Sequence, residues 1–475
     1  MRTKILKYSL VLFALSIISC DKILDVTIRS SITGQNYWQN EGDFNPYMTG
    51  IYARYRSHMD DMSMGEDRSE LWKQGYNARF SSYWAQSITP GNTVDWTSYY
   101  GTIGHCNLLL EKIESFPFNS TVNKNRIKAE AYAMRATIYF YLAKIWGDVP
   151  LVLKSVENEN EPLYPRSPVV EVFTQINADI TAALGLFPET DFVDKYRFSK
   201  PSVYALLADV KMWSGKVLGG GATDLNAAIA AITEIEKSTA ALMTTYASIF
   251  DSRKNSEIIF SLYLNRSEFT SGAYTNAFLR FDTSSGADNA LDLPMSLVGQ
   301  QAYCLSTDAL ALFAKYPTDK RIARTYIPEI MKGIIKNYWP NKFTGTKYAD
   351  DRIPDSDFII YRLSDMLLLK AEAYAALGQI DNALTYLNKV KTRAGIAVYT
   401  ETNKALVEKE ILDERGRELF HENKRWWDLV RAHKSGVVDI YQFIPNLKGK
   451  TTPIYWAIHT NVLAKNSKLV QTTGY

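Results

Sequence analysis

Apolar residues recur at intervals of three and four along most of the chain, the spacing that places them on one face of an α-helix. The pattern predicts three consecutive helix pairs, at residues 127–146 with 169–186, 202–214 with 224–237, and 361–377 with 381–393. Helix-ending residues separate the two members of the first pair, at Gly147 and Pro150 and again at Pro168. The sequence therefore predicts a mainly α fold.

Small residues within these pairs fall at the offsets of a tetratricopeptide unit. In the third pair, Ala371 and Ala383 would let two helices approach closely, and Gly378 would permit a tight turn between them. The remaining positions are Tyr374 and Leu387 in the third pair, and Ala205, Ala208, Gly215 and Ala228 in the second. We expect tetratricopeptide-like helical hairpins that form a scaffold.

A loop-rich segment interrupts this scaffold. Residues 242–354 are rich in Gly, Ser, Thr, Asp and Asn, with one strand-like run at 257–264. We expect the helical scaffold to cover about 37–241 and 355–435. Within it, helical patterns at 43–59 and 94–116 flank an irregular stretch at 60–91, one long helix spans 404–433, and the tail at 453–475 is irregular.

The N-terminus has the pattern of an export signal. Arg2, Lys4 and Lys7 precede an apolar run at 8–18, which is too short for a transmembrane helix. Ser19 and Cys20 then follow aliphatic residues, which resembles the lipobox of bacterial lipoproteins. This resemblance implies a signal peptide at 1–19 and lipid attachment at Cys20; the alternative is an ordinary secreted protein with an incidental cysteine.

Composition narrows the classes of function. The net charge of +3 is too small, for 475 residues, to indicate a nucleic-acid surface. After Cys20 the sequence shows no apolar stretch long enough to cross a membrane. Cys106 and Cys304 lie among apolar residues, and we expect buried free thiols in preference to one disulfide. The chain contains 30 Tyr, 20 Phe and 10 Trp, and Tyr in particular suits partly hydrated surfaces because its ring is apolar and its tip is polar.

No catalytic or metal-binding pattern is evident. Glu414 and Glu418 share a helix face, but the neighbouring Arg and Lys residues favour ionised, salt-bridged carboxylates on the helix surface. The glycines at 219–221 lack the Lys-Ser/Thr of a phosphate-binding loop. The histidines show no ligand spacing; they are His58, His105, His421, His433 and His459. We expect no enzyme activity, no metal and no cofactor.

Aromatic and polar residues in the irregular segments are the candidate ligand contacts. Stacking on rings together with hydrogen bonds from amides and Arg would suit a polysaccharide. One set lies in the first irregular segment and the other in the insertion. They are Trp72, Tyr76, Asn77, Arg79, Tyr83 and Trp84, and Tyr274, Asn276, Tyr338 and Trp339. Loop packing or contact with a partner protein is the alternative role for each.

Seven segments, in order, resemble the SusD/RagB family of outer-membrane nutrient-binding lipoproteins. The last of them differs from the Gln-Asn-Pro-Gly-Tyr ending of the family at Thr472 and Thr473. The others include Asn107 in an early helix and the acidic-basic helix that ends in Asp-Leu-Val-Arg. The segments are 20–25, 96–113, 129–150, 255–260, 361–365, 414–431 and 469–475.

The resemblance implies a SusD-like domain over 20–475, lipid-anchored in the outer membrane and facing the cell exterior. It also implies a SusC-like TonB-dependent transporter as partner, over which the lipoprotein sits as a ligand-gripping lid. We expect a non-catalytic protein that captures glycans for import. Capture of peptides or another nutrient, a surface glycoside hydrolase, and a protein-binding adaptor are the alternatives.

Overall fold

The computed structural model describes residues 37–59, 63–75, 81–156, 162–270, 286–290, 292–293, 303–348 and 352–475. Cys20, Tyr76, Asn77, Arg79, Tyr274 and Asn276 lie outside these ranges. The described part of the chain is mainly helical, as the sequence predicts. Its longer helices are α1 (Phe44–Met59), α2 (Thr97–Ser115), α3 (Thr121–Trp146), α4 (Val169–Leu186), α5 (Lys200–Val217) and α6 (Gly221–Ile235).

The remaining elements follow in and after the insertion. The helices are α7 (Tyr246–Asp251), α8 (Thr307–Ala314), α9 (Ile322–Thr325), α10 (Leu363–Ala376), α11 (Ile380–Ala394), α12 (Lys404–Glu418), α13 (Arg425–Lys434), α14 (Ile440–Phe443) and α15 (Thr460–Lys465). The strands are β1 (Trp72–Gln74), β2 (Ile258–Leu262), β3 (Tyr303–Leu305), β4 (Tyr326–Met331), β5 (Ile334–Pro340), β6 (Thr346–Lys347), β7 (Arg352–Ile353) and β8 (Phe358–Arg362).

The three predicted helix pairs are confirmed as α3 with α4, α5 with α6, and α10 with α11, each packed against its own partner. In the third pair Ala371 and Ala383 are fully buried between the helices. Gly378 adopts φ of 76° in the turn, a conformation that glycine reaches at little cost. Close packing across small residues therefore holds the hairpin together, as its spacing predicts.

Helix α4 is, within the described ranges, the one helix long and apolar enough to cross a membrane. This corrects the expectation that the sequence after Cys20 contains no such stretch. Here its apolar residues Val172, Ile176 and Ile180 are buried in the core. Asp179, on the same helix, forms a buried ion pair with Arg135 of α3 at 2.7 Å. A helix packed and paired in this way is a core helix of the scaffold.

The insertion is built from short antiparallel strand pairs. Strand β2 confirms the predicted strand, and its partner is β8. The sequence pattern places Tyr361 and Arg362 at the start of a helix; instead they are the last two residues of β8, and α10 begins only at Leu363. Strands β4 and β5 form a hairpin whose turn, Lys332 and Gly333, has positive φ at both residues.

The prediction of one continuous helix at 404–433 is wrong, because the structure has two helices there, α12 and α13. His421 and Asn423 in the intervening segment adopt φ of 62° and 59°, values that a right-handed helix excludes. The Glu66 carboxylate accepts hydrogen bonds from the backbone N–H groups of Asn423 and Lys424 at 2.9 and 3.4 Å. A contact more than 350 residues away in sequence thus helps to set the break.

A buried ion network joins the insertion to the scaffold at this break. Glu418 binds the guanidinium groups of Arg321 at 2.9 Å and Arg362 at 2.5 Å, and it also pairs with Arg393. Cations and carboxylates are equal in number in the set, so no net charge is buried. Its members are Arg321, Lys342, Arg362, Lys391, Arg393 and Arg417, with Glu257, Asp319, Glu410, Glu414, Glu418 and Glu422.

The prediction that Glu414 and Glu418 are ionised and salt-bridged agrees with these contacts, but the predicted surface location is wrong. Both side chains have no exposed area. Burial alone would raise the pKa of Glu418, yet the three guanidinium groups hold it well below its usual value. The sequence predicted that these carboxylates are salt-bridged, whereas only the packing of α8, α10 and α11 against α12 shows that they are internal.

Candidate ligand-binding face

Strand pairing brings together the two aromatic segments that the sequence predicts as ligand contacts. Strand β1 pairs with β3, with Trp72 opposite Leu305. Strand β3 also packs beside β5, where the thiol of Cys304 lies 3.6 Å from Asn337 Oδ1. Residues that are more than 230 positions apart in sequence therefore form one region, which we call the loop face.

Three of the predicted rings belong to the core beneath this face. Trp72 is 3% exposed and packs on Phe420, with ring centroids 4.8 Å apart. Trp339 has no exposed area, and its Nε1 donates to Glu329 at 3.0 Å. Tyr83 stacks on Trp456 at 4.2 Å. Rings buried in this way present no face on which a ligand could stack in this structure, which favours the packing role.

Trp84 and Tyr338 are the predicted aromatic residues that remain half-exposed within the described part of the chain. Trp84 Nε1 donates to the carbonyl oxygen of Trp72 at 3.1 Å, which fixes the edge of the indole. Tyr338 meets Tyr326 edge-on, with centroids 5.4 Å apart. Held by these contacts, both rings are pre-positioned, which lowers the entropy lost when a ligand binds.

A buried carboxyl group lies below the loop face. Glu66, in the π-helical turn Ser63–Asp67, has no exposed area. Burial raises its pKa to about 8, against the lowering effect of the hydrogen bonds from Lys424 and Asn423. A carboxyl group that is protonated at neutral pH could act as a general acid, but a fully buried one is out of reach of a ligand on the surface.

Sequence reasoning missed three cavities of about 480, 240 and 360 Å³. None of the five predicted contacts within the described residues lines them. Their lining residues, such as Tyr52, Arg197 and Ser261, come from helices, a helix connection and a strand. No spacing in the sequence links such positions, so no signal could have grouped them. Within the described ranges, no group of three or more His, Cys, Asp or Glu side chains could hold a metal ion.

Two family profiles match separate parts of the chain. Residues 321–475 match the SusD family, and residues 24–212 match a SusD-like profile described as "starch-binding associating with outer membrane". Together they cover most of the scaffold and the end of the insertion. The chain belongs to the SusD/RagB family. The resemblance found in the sequence is thereby confirmed.

Individual SusD-like proteins align over most of the chain, and one of them over nearly all of it. SusD-like protein P38 of Formosa agariphila is 26% identical over 518 residues, which cover 98% of each chain. A SusD-like protein of Bacteroides ovatus is 25% identical over 70% of this chain and 64% of its own. The family relationship therefore extends across the insertion that separates the two profile matches.

Solved SusD-type structures share the fold. B. fragilis NanU superposes with a TM-score of 0.81 at 27% identity, covering 95% of this chain and all of that one. A laminarin-binding SusD-like protein superposes with a TM-score of 0.75 at 21% identity, covering 92% of this chain, and at that identity it supports the fold alone. The mainly α, SusD-like fold class predicted from the sequence is confirmed.

Proposed function

We propose that this SusD-type protein binds glycans at the outer membrane, without cleaving them, and delivers them to a SusC-like TonB-dependent transporter. The observation that carries the proposal is the loop face, where β1, β3 and β5 bring the two aromatic segments together. Half-exposed rings held at their edges suit the apolar C–H faces of sugars. The starch-binding description of the family profile supports the same class of ligand.

The proposed contacts are Trp84 and Tyr338, together with Tyr76, Asn77, Arg79, Tyr274 and Asn276 from segments outside the described residues. Trp72, Tyr83 and Trp339 would support the face from below. This division follows from burial, since only a ring with exposed area can stack on a ligand without rearrangement of the core.

The absence of catalysis is part of the proposal. A retaining glycosidase needs two carboxyl groups about 5 Å apart at a substrate cleft. Glu414 and Glu418 are instead buried and each is paired with guanidinium groups, which keeps both ionised and away from solvent. A surface glycoside hydrolase would need another carboxyl pair on an accessible face.

A polysaccharide panel tests this proposal on the soluble chain begun after Cys20. We expect retardation of the protein in affinity gels by at least one glycan, with no new reducing ends in the same mixtures. Retardation with release of reducing ends would favour the hydrolase. No retardation by any glycan, together with peptides that co-purify with the protein, would favour peptide capture.

Replacement of the half-exposed rings tests the loop face. Trp84→Ala and Tyr338→Ala each remove a stacking surface, and we expect glycan affinity to fall by roughly three- to tenfold in either variant. Trp38→Ala is the matched control, because Trp38 is also half-buried but packs against Phe44 and Tyr47 near the N-terminal end of α1. An equal loss in all three variants would contradict a localised site.

The transporter partnership requires a separate test. The proposed partner is the SusC-like TonB-dependent protein that the family relationship implies. We expect the two proteins to purify together from detergent-solubilised outer membranes when only the lipoprotein is tagged. Recovery of the lipoprotein alone, from membranes that contain the transporter, would contradict the partnership but not glycan binding.

Anchoring through Cys20 is the last part of the proposal. Lipid on this residue would hold the chain in the outer membrane, facing the cell exterior. We expect Cys20→Ala to abolish labelling with radioactive palmitate and to release the protein from the membrane fraction. Protease treatment of intact cells would then degrade the anchored parent protein if it faces outward, and would leave it intact if it faces the periplasm.

A further inference from the structure

Two of the three cavities that the sequence did not predict are lined by residues of 187–199, the connection between α4 and α5, and a hydrogen bond from this connection reaches the lining of the third. Arg197 lines both the cavity of about 480 Å³ and that of about 240 Å³. Tyr196 lines the latter, and its hydroxyl donates to Asp357 at 2.6 Å, which lines the cavity of about 360 Å³. We call this series the connection groove, with a first, a middle and a third cavity in that order.

Tyrosines form the middle of the groove. The middle cavity is lined by Tyr52, Tyr196 and Tyr263, and the rings of Tyr196 and Tyr263 lie 5.2 Å apart. Tyr263 is 36% exposed. Such rings provide apolar surface beside polar tips, the combination that a sugar ring requires.

Groups able to bind hydroxyls lie on either side of the tyrosines. The first cavity contains the amides of Asn45 and Asn123, and the third contains the hydroxyl-bearing residues Thr344 and Ser356. Ser261 also lines the third cavity; it is 1% exposed, and its Oγ has no hydrogen-bond partner among the described residues.

Two further donors along the groove are likewise unpaired within the described part of the chain. They are Nε of Arg56 in the middle cavity and Nε of Arg324 in the third. A buried donor without a partner costs free energy, and a ligand that brings an acceptor to it recovers that cost. Unpaired donors in two adjoining cavities point to a ligand rich in hydroxyl oxygens.

The charge of the groove as a whole disfavours anionic ligands, although the middle cavity has Arg56 and Arg197 against Glu268. In the first cavity, carboxylates such as Glu189, Asp191 and Asp194 outnumber the guanidinium groups of Arg126 and Arg197. In the third cavity cations and carboxylates balance. A surface of this kind repels uronic acids and sulfate esters, whereas an uncharged sugar meets no such penalty.

From these observations we infer that the connection groove is a second binding site, which takes an uncharged oligosaccharide lying across several sugar subsites. It shares a ligand class with the proposed function but none of its residues. The exposed or half-exposed rings of Tyr263 and Tyr196 would stack on the sugar rings, and the polar groups of the flanking cavities would bind hydroxyls of the neighbouring units.

Calorimetry with named sugars tests the groove in a protein whose loop face has been disabled. The background is the soluble chain carrying both Trp84→Ala and Tyr338→Ala. The ligands are maltohexaose, cellohexaose and laminarihexaose, with an alginate hexamer as the anionic comparison. We expect at least one neutral hexasaccharide to bind this background more tightly than its own monosaccharide, and the alginate hexamer not to bind.

Further substitutions then locate the binding. Tyr263→Ala should lower the affinity for the neutral hexasaccharide by roughly three- to tenfold. Ser261→Ala should lower this affinity by a similar factor. It should not lower thermal stability, because the Ser261 hydroxyl has no hydrogen-bond partner among the described residues. Ser267→Ala, at an exposed serine that lines none of the three cavities, is the control.

The outcomes for the two sites are distinguishable. Binding that persists in the loop-face background and falls in Tyr263→Ala supports the groove, even if the loop face itself binds nothing. Failure of all three neutral hexasaccharides to bind the background overturns the groove. So does binding that Tyr263→Ala and Ser261→Ala leave unchanged, or binding of the alginate hexamer as tight as that of the neutral sugars.

Discussion

At the scale of single residues, burial determines what a side chain can do. Cys106 and Cys304 are free and buried, as the sequence predicts. Burial raises the pKa of the Cys106 thiol to about 12 and that of Cys304 to about 11, so neither forms the reactive thiolate at neutral pH. The same burial removes Trp72 and Trp339 from the set of surface rings.

Thiol titration checks this account. In the soluble chain begun after Cys20, we expect Ellman's reagent to modify neither cysteine in the native state and both after unfolding in guanidinium chloride. The physical reason is that the reagent requires an accessible thiolate. A protein that yields no thiol even when unfolded would instead contain a disulfide between Cys106 and Cys304.

Glu66 gives a pH dependence whose sign is defined. Because burial raises its pKa from 4.5 to about 8, the protonated carboxyl stabilises the fold fully below pH 4.5, and this contribution is lost as the pH rises to about 8. Glu66→Gln stays neutral throughout. The parent therefore loses stability over this range relative to the variant. We expect the free energy of unfolding of the variant minus that of the parent to increase by about 1.4 kcal/mol per pH unit between pH 5 and 8.

Urea unfolding of both proteins at several pH values measures this difference. Above pH 8 the difference should level off, because Glu66 is then ionised in the native and unfolded states alike. Glu401→Gln, at an exposed carboxylate, is the control and should show no such slope. A constant difference between Glu66→Gln and the parent from pH 5 to 8 would contradict a buried, protonated Glu66.

At the scale of elements, the π-helical turn and the break between α12 and α13 depend on each other. Gly65 lies in that turn with its Cα against Asn423, and a Cβ at this position would overlap the Asn423 carbonyl group. The backbone of the break, with its positive φ values, thus packs directly against this glycine. Neither element could therefore be placed from its own local sequence.

A glycine pair tests the dependence. We expect Gly65→Ala to lower the free energy of unfolding by more than about 2 kcal/mol, since the overlap involves backbone that cannot move independently. Gly101→Ala is the matched control in α2, where nothing lies within 4 Å of the added Cβ. It should stabilise the protein by up to about 1 kcal/mol through helix propensity. Equal effects in the two variants would contradict the close approach.

At the scale of the whole molecule, the buried ion network holds the insertion on the helical scaffold. Arg362 pairs with Glu257, which precedes β2, with Glu418 at the end of α12, and with Glu422 in the break after α12. All three contacts are 2.9 Å or less. Burial would raise the pKa of Glu410 in the same network, but Arg417, Lys315 and Lys391 lower it to about 2. The Glu410 carboxylate therefore stabilises the fold above its unfolded pKa of about 4.5, and this stability is lost as the pH falls towards 2.

Replacement of one cation checks the importance of the network. Arg362→Met leaves three carboxylates short of a buried partner, and we expect it to cost about 3–5 kcal/mol of unfolding free energy. Arg54→Met, at an exposed position in α1, should change stability by less than about 0.5 kcal/mol. Chemical denaturation at pH 7 measures both. A loss below about 1 kcal/mol for Arg362→Met would mean that the network adds little.

Features that depend on local periodicity and spacing follow from the order of residues in the chain. The helix pairs follow from apolar residues at three- and four-residue intervals, and α4 was predicted to the residue at 169–186. The tetratricopeptide-like turn at Gly378 follows from a conformation that glycine favours. The seven segments that resemble the family could also be recognised from the sequence, because each consists of residues close together in the chain.

Burial and contacts between distant segments become apparent only in the folded molecule. No local pattern reveals that Glu414 and Glu418 face inward, because their partners Arg321 and Arg362 come from other elements. The break at His421, the burial of Trp339 and the grouping of Tyr196 with Tyr263 likewise depend on contacts between distant segments. Spacing along a chain specifies which face a residue occupies, whereas packing decides what that face meets.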